Sequence, residues 1–309
     1  MSSGTAEVWT IKRAFHWTQG YLEKNGDSQS RISTEWLLGD ACKLSRLEVY
    51  TQFDKPLTPE ERAHLREAVR RRATGEPLQY IVGQVDFRHL SLEVRPGVLI
   101  PRPETEVLVD LALDALKEFM PQSQSQLQVL DLCTGSGCVG LSIAHECPNT
   151  SVVATDISSD AVALAQSNAS KANLISRFTV EESDLFPRIC SDTNDCNCQH
   201  YDLVVANPPY IPAAGMDELP SEVADFEPAL ALDGNDDGCT DGLAIARRII
   251  EQALAYMKDN SQLILELDLR NVHAAAEFAV QLKEYKSVSV TCDLTGRDRF
   301  LIAVKRSDT

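Results

Sequence analysis

Four consecutive residues, Asn207-Pro208-Pro209-Tyr210, carry the chain's clearest chemical suggestion. They follow an apolar run, Leu203 to Ala206, that reads as a buried parallel strand. Two prolines lack N–H donors and fix φ, so the ladder stops there and the chain leaves in a stiff, extended turn. The carboxyl end of a strand is where open α/β sheets place their ligands. Asn207 offers a carbonyl acceptor and an amide donor, Pro208 a free carbonyl, and Tyr210 a flat aromatic face. The set is a cradle for a planar group bearing an NH2, either an amide or the exocyclic amine of a base.

A second constellation lies upstream. Val129 to Cys138 reads as strand, glycine-rich turn and helix start, with Cys133, Thr134, Gly135, Ser136 and Gly137 in the turn. Gly135 and Gly137 allow close backbone approach to a ligand, and the helix N-terminus can face negative charge. The phosphate-loop pattern is absent, but Gly135-x-Gly137-x-x-Gly140 meets the dinucleotide spacing. The next strand ends at Thr155-Asp156, about 20 residues on, where a carboxylate can accept both ribose hydroxyls. Loop and acid together therefore admit either a dinucleotide or S-adenosylmethionine. A third strand leads to Ser183-Asp184-Leu185-Phe186, where Asp184 can accept from an adenine amine while Leu185 or Phe186 covers the ring. Pro101 and Pro103 hold an extended segment that delivers Arg102 and Glu104 to a fixed place.

These residues need a scaffold, and the pattern supplies one. Residues from about Glu7 to Thr74 read as helical, with Ser33 opening a second helix and Ser45 a third. Thr58-Pro59-Glu60-Glu61 is a capping box with proline at the first helical position. Arg66, Arg70, Arg71 and Arg72 form a basic cluster on the helix that follows. Val85 to Val94 alternates and reads as a hairpin bridging two domains. From Leu127 strands and helices alternate, the signature of a parallel sheet. Strands are predicted at 127–132, 151–154, 177–180, 203–206 and 262–267, with late extended pieces at 287–291 and 300–304. Helices are predicted at 139–145, 160–172, 243–258 and 272–283. The expected domains are a helical one over 1–80, a hairpin linker over 81–102, and an α/β domain over 103–309.

Composition narrows the class. At 309 residues, 43% apolar and 24% charged, the chain suits a two-domain globular protein. No run approaches the length of a membrane span, and Met1 to Glu7 lacks a signal or transit pattern, so cytoplasm is expected. Nine scattered cysteines fit reduced thiols. Cys190, Cys196, Cys198 and His200 have poor zinc spacing, so no metal site is expected. The net charge is −17, and residues 81–309 carry the excess, with 17 Lys/Arg against 35 Asp/Glu. Residues 217–241 hold nine acidic side chains and no Lys or Arg. Such a field repels a phosphate backbone and suits a basic protein partner.

Taken in order and spacing, Asp131-x-Cys-Thr-Gly-Ser-Gly, Asp156, Ser183-Asp184 and Asn207-Pro-Pro-Tyr resemble S-adenosylmethionine-dependent methyltransferases that act on planar amino groups. Ile-Pro-Arg-Pro-Glu-Thr-Glu (100–106), Glu227-Pro-Ala-Leu230 and Asp241-Gly-Leu243 narrow the resemblance to the PrmC/HemK family, the glutamine-N5 methyltransferases of peptide chain release factors. It covers nearly the whole length. It implies an α/β fold, a seven-stranded Rossmann-like methyltransferase domain preceded by a small all-α domain and a β-hairpin linker. It implies S-adenosylmethionine as donor, S-adenosylhomocysteine as product, and class I release factors as partners, with the helical domain helping to dock them. By position, Cys133 to Gly137 would line the methionine part of the cofactor, Asp156 would hold the ribose, and Asp184 and Leu185 would sit by the adenine. Asn207 would lie between cofactor and substrate. Asn207 and Pro208 would accept from the amide NH2, with Pro209 and Tyr210 closing over it and Arg102 and Glu104 contributing to substrate binding. A monomer that binds neither membrane nor nucleic acid is expected. A DNA adenine-N6 methyltransferase is the alternative, since it shares Asn-Pro-Pro-Tyr. Two departures stand out: Cys133 occupies a position usually Gly, and Leu267 to Asn271 replaces the family's Gly and Gln after Glu266, which leaves that stretch without an assigned role.

Overall fold

The computed structural model describes residues 8–119, 126–187, 200–236 and 238–307. The chain divides into two compact units, one of residues 1–84 with 221–226, the other of residues 85–220 with 227–309.

The first unit is helical. Helix α1 (Ile11–Lys24) starts at Thr10, whose side chain accepts the Arg13 N–H. Helix α2 (Ser30–Cys42) begins three residues before the expected Ser33, because the Asp27 carboxylate takes the Gln29 N–H and turns the chain earlier. Helices α3 (Arg46–Thr51) and α4 (Pro59–Arg72) both open with complete capping boxes, Ser45/Glu48 and Thr58/Glu61. A short α5 (Leu78–Val82) ends at Gly83, in the left-handed region. Ile11, Phe15, Leu22, Leu37, Leu38 and Leu65 form the core. The arginines on α4 are largely committed within this unit. Arg70 pairs with Glu67, Arg71 with Glu76, and Arg72 with both Asp27 and Glu222, at 3.0 and 3.1 Å.

The second unit opens with the hairpin β1 (Gln84–Phe87) and β2 (Leu90–Glu93). Phe87, Leu90 and Leu92 are buried in the same core as the sheet strands, so this hairpin is packed into the α/β unit. Helix α6 (Thr105–Phe119) follows, then β3 (Leu127–Leu132), α7 (Cys138–Glu146), β4 (Thr150–Asp156), α8 (Ser159–Lys171), β5 (Phe178–Glu182) and β6 (Tyr201–Ala206). The remaining strands are β7 (Met257–Glu266), β8 (Tyr285–Cys292) and β9 (Asp298–Lys305). The seven-stranded sheet runs β5-β4-β3-β6-β7-β9-β8, with β9 antiparallel to both its neighbours and the other pairings parallel. Its central strands read as continuous apolar runs because both faces are covered. Val129 packs on the side of α6, α7 and α8, while Leu130 and Leu132 pack on the other.

The helix expected over 243–258 is shorter. It runs Ala244–Gln252, gives way to a 3-10 turn at Ala253–Ala255, and β7 begins at Met257. Tyr256 is diverted into the start of the β6–β7 ladder, where its carbonyl accepts the Tyr201 N–H at 2.8 Å.

Strand order decides where a ligand can sit. The chain proceeds outward from β3 through β4 to β5, then returns to place β6 on β3's other side. Helices therefore leave β3 and β6 in opposite directions, opening a crevice beyond their carboxyl ends. Leu132 pairs with Ala206 in register, so the glycine turn and Asn207 emerge side by side.

Candidate active site

The crevice is a cleft of about 290 Å³, lined on the β3 side by the glycine turn and on the β6 side by Asn207 with Pro209. Asp131, the penultimate residue of β3, organises the turn from below. Its Oδ2 accepts the Thr134 hydroxyl at 2.6 Å and the Gly140 N–H at 3.0 Å. Burial pushes its carboxyl up to about 7, although both bonds favour the charged form. Gly135 and Gly137 have φ of 55° and 82°. Gly140 is needed for a different reason: a Cβ there would lie 2.8 Å from Asp131 Oδ2 and 2.9 Å from Phe178 Cε2. The third glycine of the spacing thus serves helix-to-sheet packing.

Cys133 adopts φ 55°, in the left-handed region that favours glycine. The left-handed conformation costs a non-glycine residue about 1–2 kcal/mol. Each wholly buried Leu or Val of the preceding strand contributes about 1.5–3 kcal/mol, so β3 holds the conformation in place. Burial raises the Cys133 thiol well above its ordinary value, which makes it a wall of the cleft and not a nucleophile.

Asp156 ends β4 and lines the cleft. Its Oδ2 accepts the Gly135 N–H at 2.8 Å and its Oδ1 accepts the Ser158 N–H at 2.9 Å. A carboxylate has about four lone-pair sites, so each oxygen keeps one for a ligand hydroxyl. Burial raises this carboxyl too. Leu185 lines the cleft at φ 69°, with its carbonyl held by the Thr155 hydroxyl. Asp184 also lines the cleft but is engaged already, its Oδ2 2.8 Å from Arg248 Nη2. Phe186 points away from a ring-covering role. It stacks on Tyr256 with centroids 4.6 Å apart.

At the other end, the cradle is built into a tight frame. Ile211 pairs with Asp233, and its carbonyl accepts from Gly234 N–H at 3.2 Å and Asn235 Nδ2 at 3.0 Å. A Cβ on Gly234 would stand 2.8 Å from the Pro209 carbonyl, and one on Gly242 2.3 Å from the Tyr210 carbonyl. Asn271 Nδ2 donates to that same Tyr210 carbonyl at 2.8 Å. The departing stretch 267–271 therefore has a structural task, clamping the cradle's backbone. Arg102 lines the cleft and pairs with the buried Glu227 at 2.5 Å, while Glu227 Oε2 also accepts the Ile100 N–H. This pair ties the Arg-Pro-Glu-Thr-Glu segment to Glu-Pro-Ala-Leu. Glu104 is exposed and does not line the cleft.

Of the residues expected from sequence, Cys133, Thr134, Gly135, Ser136, Asp156, Asp184, Leu185, Asn207, Pro209 and Arg102 come together around one cleft. Gly137 and Pro208 stand behind its surface, both in the supporting backbone. Tyr210 is partly buried among Ile250-side core residues and sits 3.5 Å from Arg299 Nη1 through its hydroxyl. Burial pushes its phenol up to about 12, so it stays protonated. Thr105 and Asn271 fall in stretches noted in the sequence but received no role there, and Glu266, Arg299 and Arg248 carried no role either, because their partners lie far away along the chain; the contact between Asn207 Nδ2 and Thr105 Oγ1, at 3.2 Å, spans 102 positions. Cys190, Cys196 and Cys198 lie outside the described residues. Among the described residues no cluster of His, Cys, Asp and Glu is arranged to hold a metal, and no helix is long and apolar enough to cross a membrane.

The cleft's donor set fits S-adenosylmethionine. The Asp156 carboxylate, with acceptor sites left for ligand hydroxyls, ends β4, and apolar walls come from Val98, Ile157, Leu185 and Ile245. Comparison with known proteins agrees with this reading. Residues 13–83 match the PrmC N-terminal domain and residues 105–219 the methyltransferase small domain. A release factor glutamine methyltransferase of Geobacter sulfurreducens is 42% identical over 263 residues, 85% of this chain and 86% of that protein. That of Rhodopirellula baltica is 38% identical over 95% of each chain. Among solved structures, the human METTL16 catalytic domain in complex with an RNA hairpin superposes with a TM-score of 0.55 at 18% identity, covering 78% of this chain and 83% of that one. That likeness concerns the fold alone. On the length and identity shared with these relatives, the chain belongs to the family of release factor glutamine methyltransferases.

Proposed function

We propose that this enzyme transfers a methyl group from S-adenosylmethionine to the side-chain amide nitrogen of the glutamine in the Gly-Gly-Gln motif of class I release factors. The observation that carries the proposal is the placement of Asn207-Pro-Pro-Tyr at the end of β6, in register with the glycine turn at the end of β3. An acceptor amide in the cradle would then lie beside a cofactor held by the glycine turn.

When bound, S-adenosylmethionine supplies an electrophilic methyl whose leaving group is a neutral thioether. The chain's own part is to present the acceptor. A carboxamide nitrogen is a poor nucleophile because its lone pair is delocalised into the carbonyl. Asn207 Oδ1 accepts one N–H of the amide and the Pro208 carbonyl the other, which fixes the nitrogen and its lone pair in line with the methyl. No His or Cys stands ready as a base among the cleft-lining side chains, since Cys133 and Cys138 are held protonated by burial. The nitrogen's proton leaves to solvent water after its bond to carbon forms. Asp156 holds the ribose and Leu185 bounds the adenine. The helical unit serves as a docking element for the release factor, and the enzyme works as a cytoplasmic monomer.

A DNA substrate is disfavoured by charge. Residues 217–241 are uniformly acidic and lead directly from the cradle, where they would repel phosphates. The test is a labelled-methyl assay with three acceptors: a release factor, its Gly-Gly-Gln variant with Gln→Ala, and duplex DNA. Label is expected in the first alone. Label in DNA, or undiminished label in the Gln→Ala factor, overturns the proposal.

A further inference from the structure

Behind the cradle lies a buried relay that the reaction as described leaves unused. Asn207 Nδ2 donates to Thr105 Oγ1 at 3.2 Å, and the Thr105 hydroxyl faces the Glu266 carboxyl, whose charged form it favours. Thr105 and Glu266 are buried, Glu266 to 1% exposure. Glu266 Oε2 has no hydrogen-bond partner among the described residues, while Oε1 lies 3.5 Å from Arg299 Nη1. The same Nη1 lies 3.5 Å from the Tyr210 hydroxyl, so the relay reaches both ends of the cradle.

We infer that Thr105 and Glu266 are positioning residues that fix which way round the Asn207 amide sits, so that Oδ1 faces the cleft and receives the substrate NH2. The inference rests on the amide-methylating function proposed above. The reasoning is a matter of donors and acceptors. An ionised carboxylate can only accept, so it claims the single hydrogen of the Thr105 hydroxyl. The hydroxyl then turns a lone pair toward Asn207, and a lone pair must meet an N–H. Nδ2 is thereby drawn to Thr105, and Oδ1, which no described residue engages, is left for the cleft. A flipped Asn207 would set oxygen against lone pair behind and present an NH2 to an incoming NH2 in front. Amide orientation is settled by the surrounding network, and here the network has one solution.

The relay also confers a pH dependence. Burial pushes the Glu266 carboxyl up to about 7. The groups facing it are Arg299 from β9, Arg102 and Glu104 from the segment before α6, and Tyr210 from the cradle. Below that pH Glu266 carries a proton, no longer obliges Thr105 to donate, and the amide is free to flip. Activity therefore falls as pH drops through about 7.

Three variants test this: Thr105→Val, Thr105→Ser and Glu266→Gln. With release factor as acceptor, Thr105→Val is expected to lower kcat by about 10- to 100-fold, the equivalent of a mispaired hydrogen bond. KM and S-adenosylmethionine affinity should stay within about threefold, and Thr105→Ser should recover most of the loss. Glu266→Gln should lower kcat and abolish the acidic limb of its pH profile. Infrared titration of the cofactor-free protein adds a readout independent of turnover: of the protonated-carboxyl absorption titrating near neutrality in wild type, to which Asp131 also contributes, the Glu266 component is expected to be lost in Glu266→Gln and the Asp131 component to be lost only in Asp131→Asn. Wild-type kcat in Thr105→Val, no rescue by Thr105→Ser, or an unchanged acidic limb in Glu266→Gln overturns the inference. Absence of transfer by the wild-type enzyme would instead contradict the proposed function itself.

Discussion

At the scale of single residues, the division of labour follows from what each group can exchange. Asn207 lines the cleft, and in the proposed reaction it holds the acceptor amide, so its loss should fall on the chemical step. Asn207→Ala is expected to cut kcat by about 10²-fold or more, with the cofactor dissociation constant within about threefold by calorimetry. Abolished cofactor binding with turnover preserved in the bound fraction would contradict this assignment. Asp131 acts on stability. Its folded carboxyl is raised to about 7 from an ordinary 3.8. Between those values the native state holds a proton that the unfolded chain has released, so this group makes stability fall as pH rises from about 4 to about 7. Asp131→Asn removes that slope. Denaturant unfolding of both proteins across this window should show wild type losing stability relative to the variant as pH increases; a constant difference would refute the assignment. These cleft-lining residues were legible in the sequence because each is local to a strand end: Gly135, Asp156 and Asp184 follow apolar runs within a few positions. Glu266 was not, because its meaning depends on Thr105 and Arg299, which only the folded sheet brings near.

At the scale of elements, start and stop signals were readable where side chains satisfy backbone groups locally. The Thr58 capping box is the clearest instance. Prediction failed where distant structure decided the boundary. Ala253-Leu254-Ala255 has fair helix propensity and no breaker, yet the helix from Ala244 ends before it because Tyr256 joins the sheet through Tyr201. The glycines divide in the same way. Gly137 was legible from the turn pattern, whereas Gly234 and Gly242 are required by carbonyls of the cradle that pass within van der Waals distance. Gly140 tests the packing argument. Gly140→Ala sets a Cβ against Asp131, Phe178 and Val152 at 2.8–3.0 Å, and overpacking of that kind costs about 1–3 kcal/mol. A lower urea midpoint with unchanged slope is expected. Wild-type stability would show that α7 shifts freely, and the turn would then not be held as described.

At the scale of the molecule, charge and topology point to the same partner. The sheet order opens one crevice at the β3–β6 boundary, and the chain's −17 charge surrounds it with a field that favours a cationic cofactor and a basic protein loop. Encounter with a release factor should therefore weaken as salt screens the field, since the Debye length falls to about 8 Å at physiological ionic strength. KM for the release factor is expected to rise with added salt while kcat changes little; a salt-independent KM would show that docking rests on apolar contacts. The central claim is that the cradle presents a glutamine side chain to the methyl donor. Tandem mass spectrometry of a release factor treated with the enzyme and S-adenosylmethionine tests it most directly. The account predicts a single added methyl on the side-chain nitrogen of the Gly-Gly-Gln glutamine, and a methyl on any other residue, or none, would contradict it.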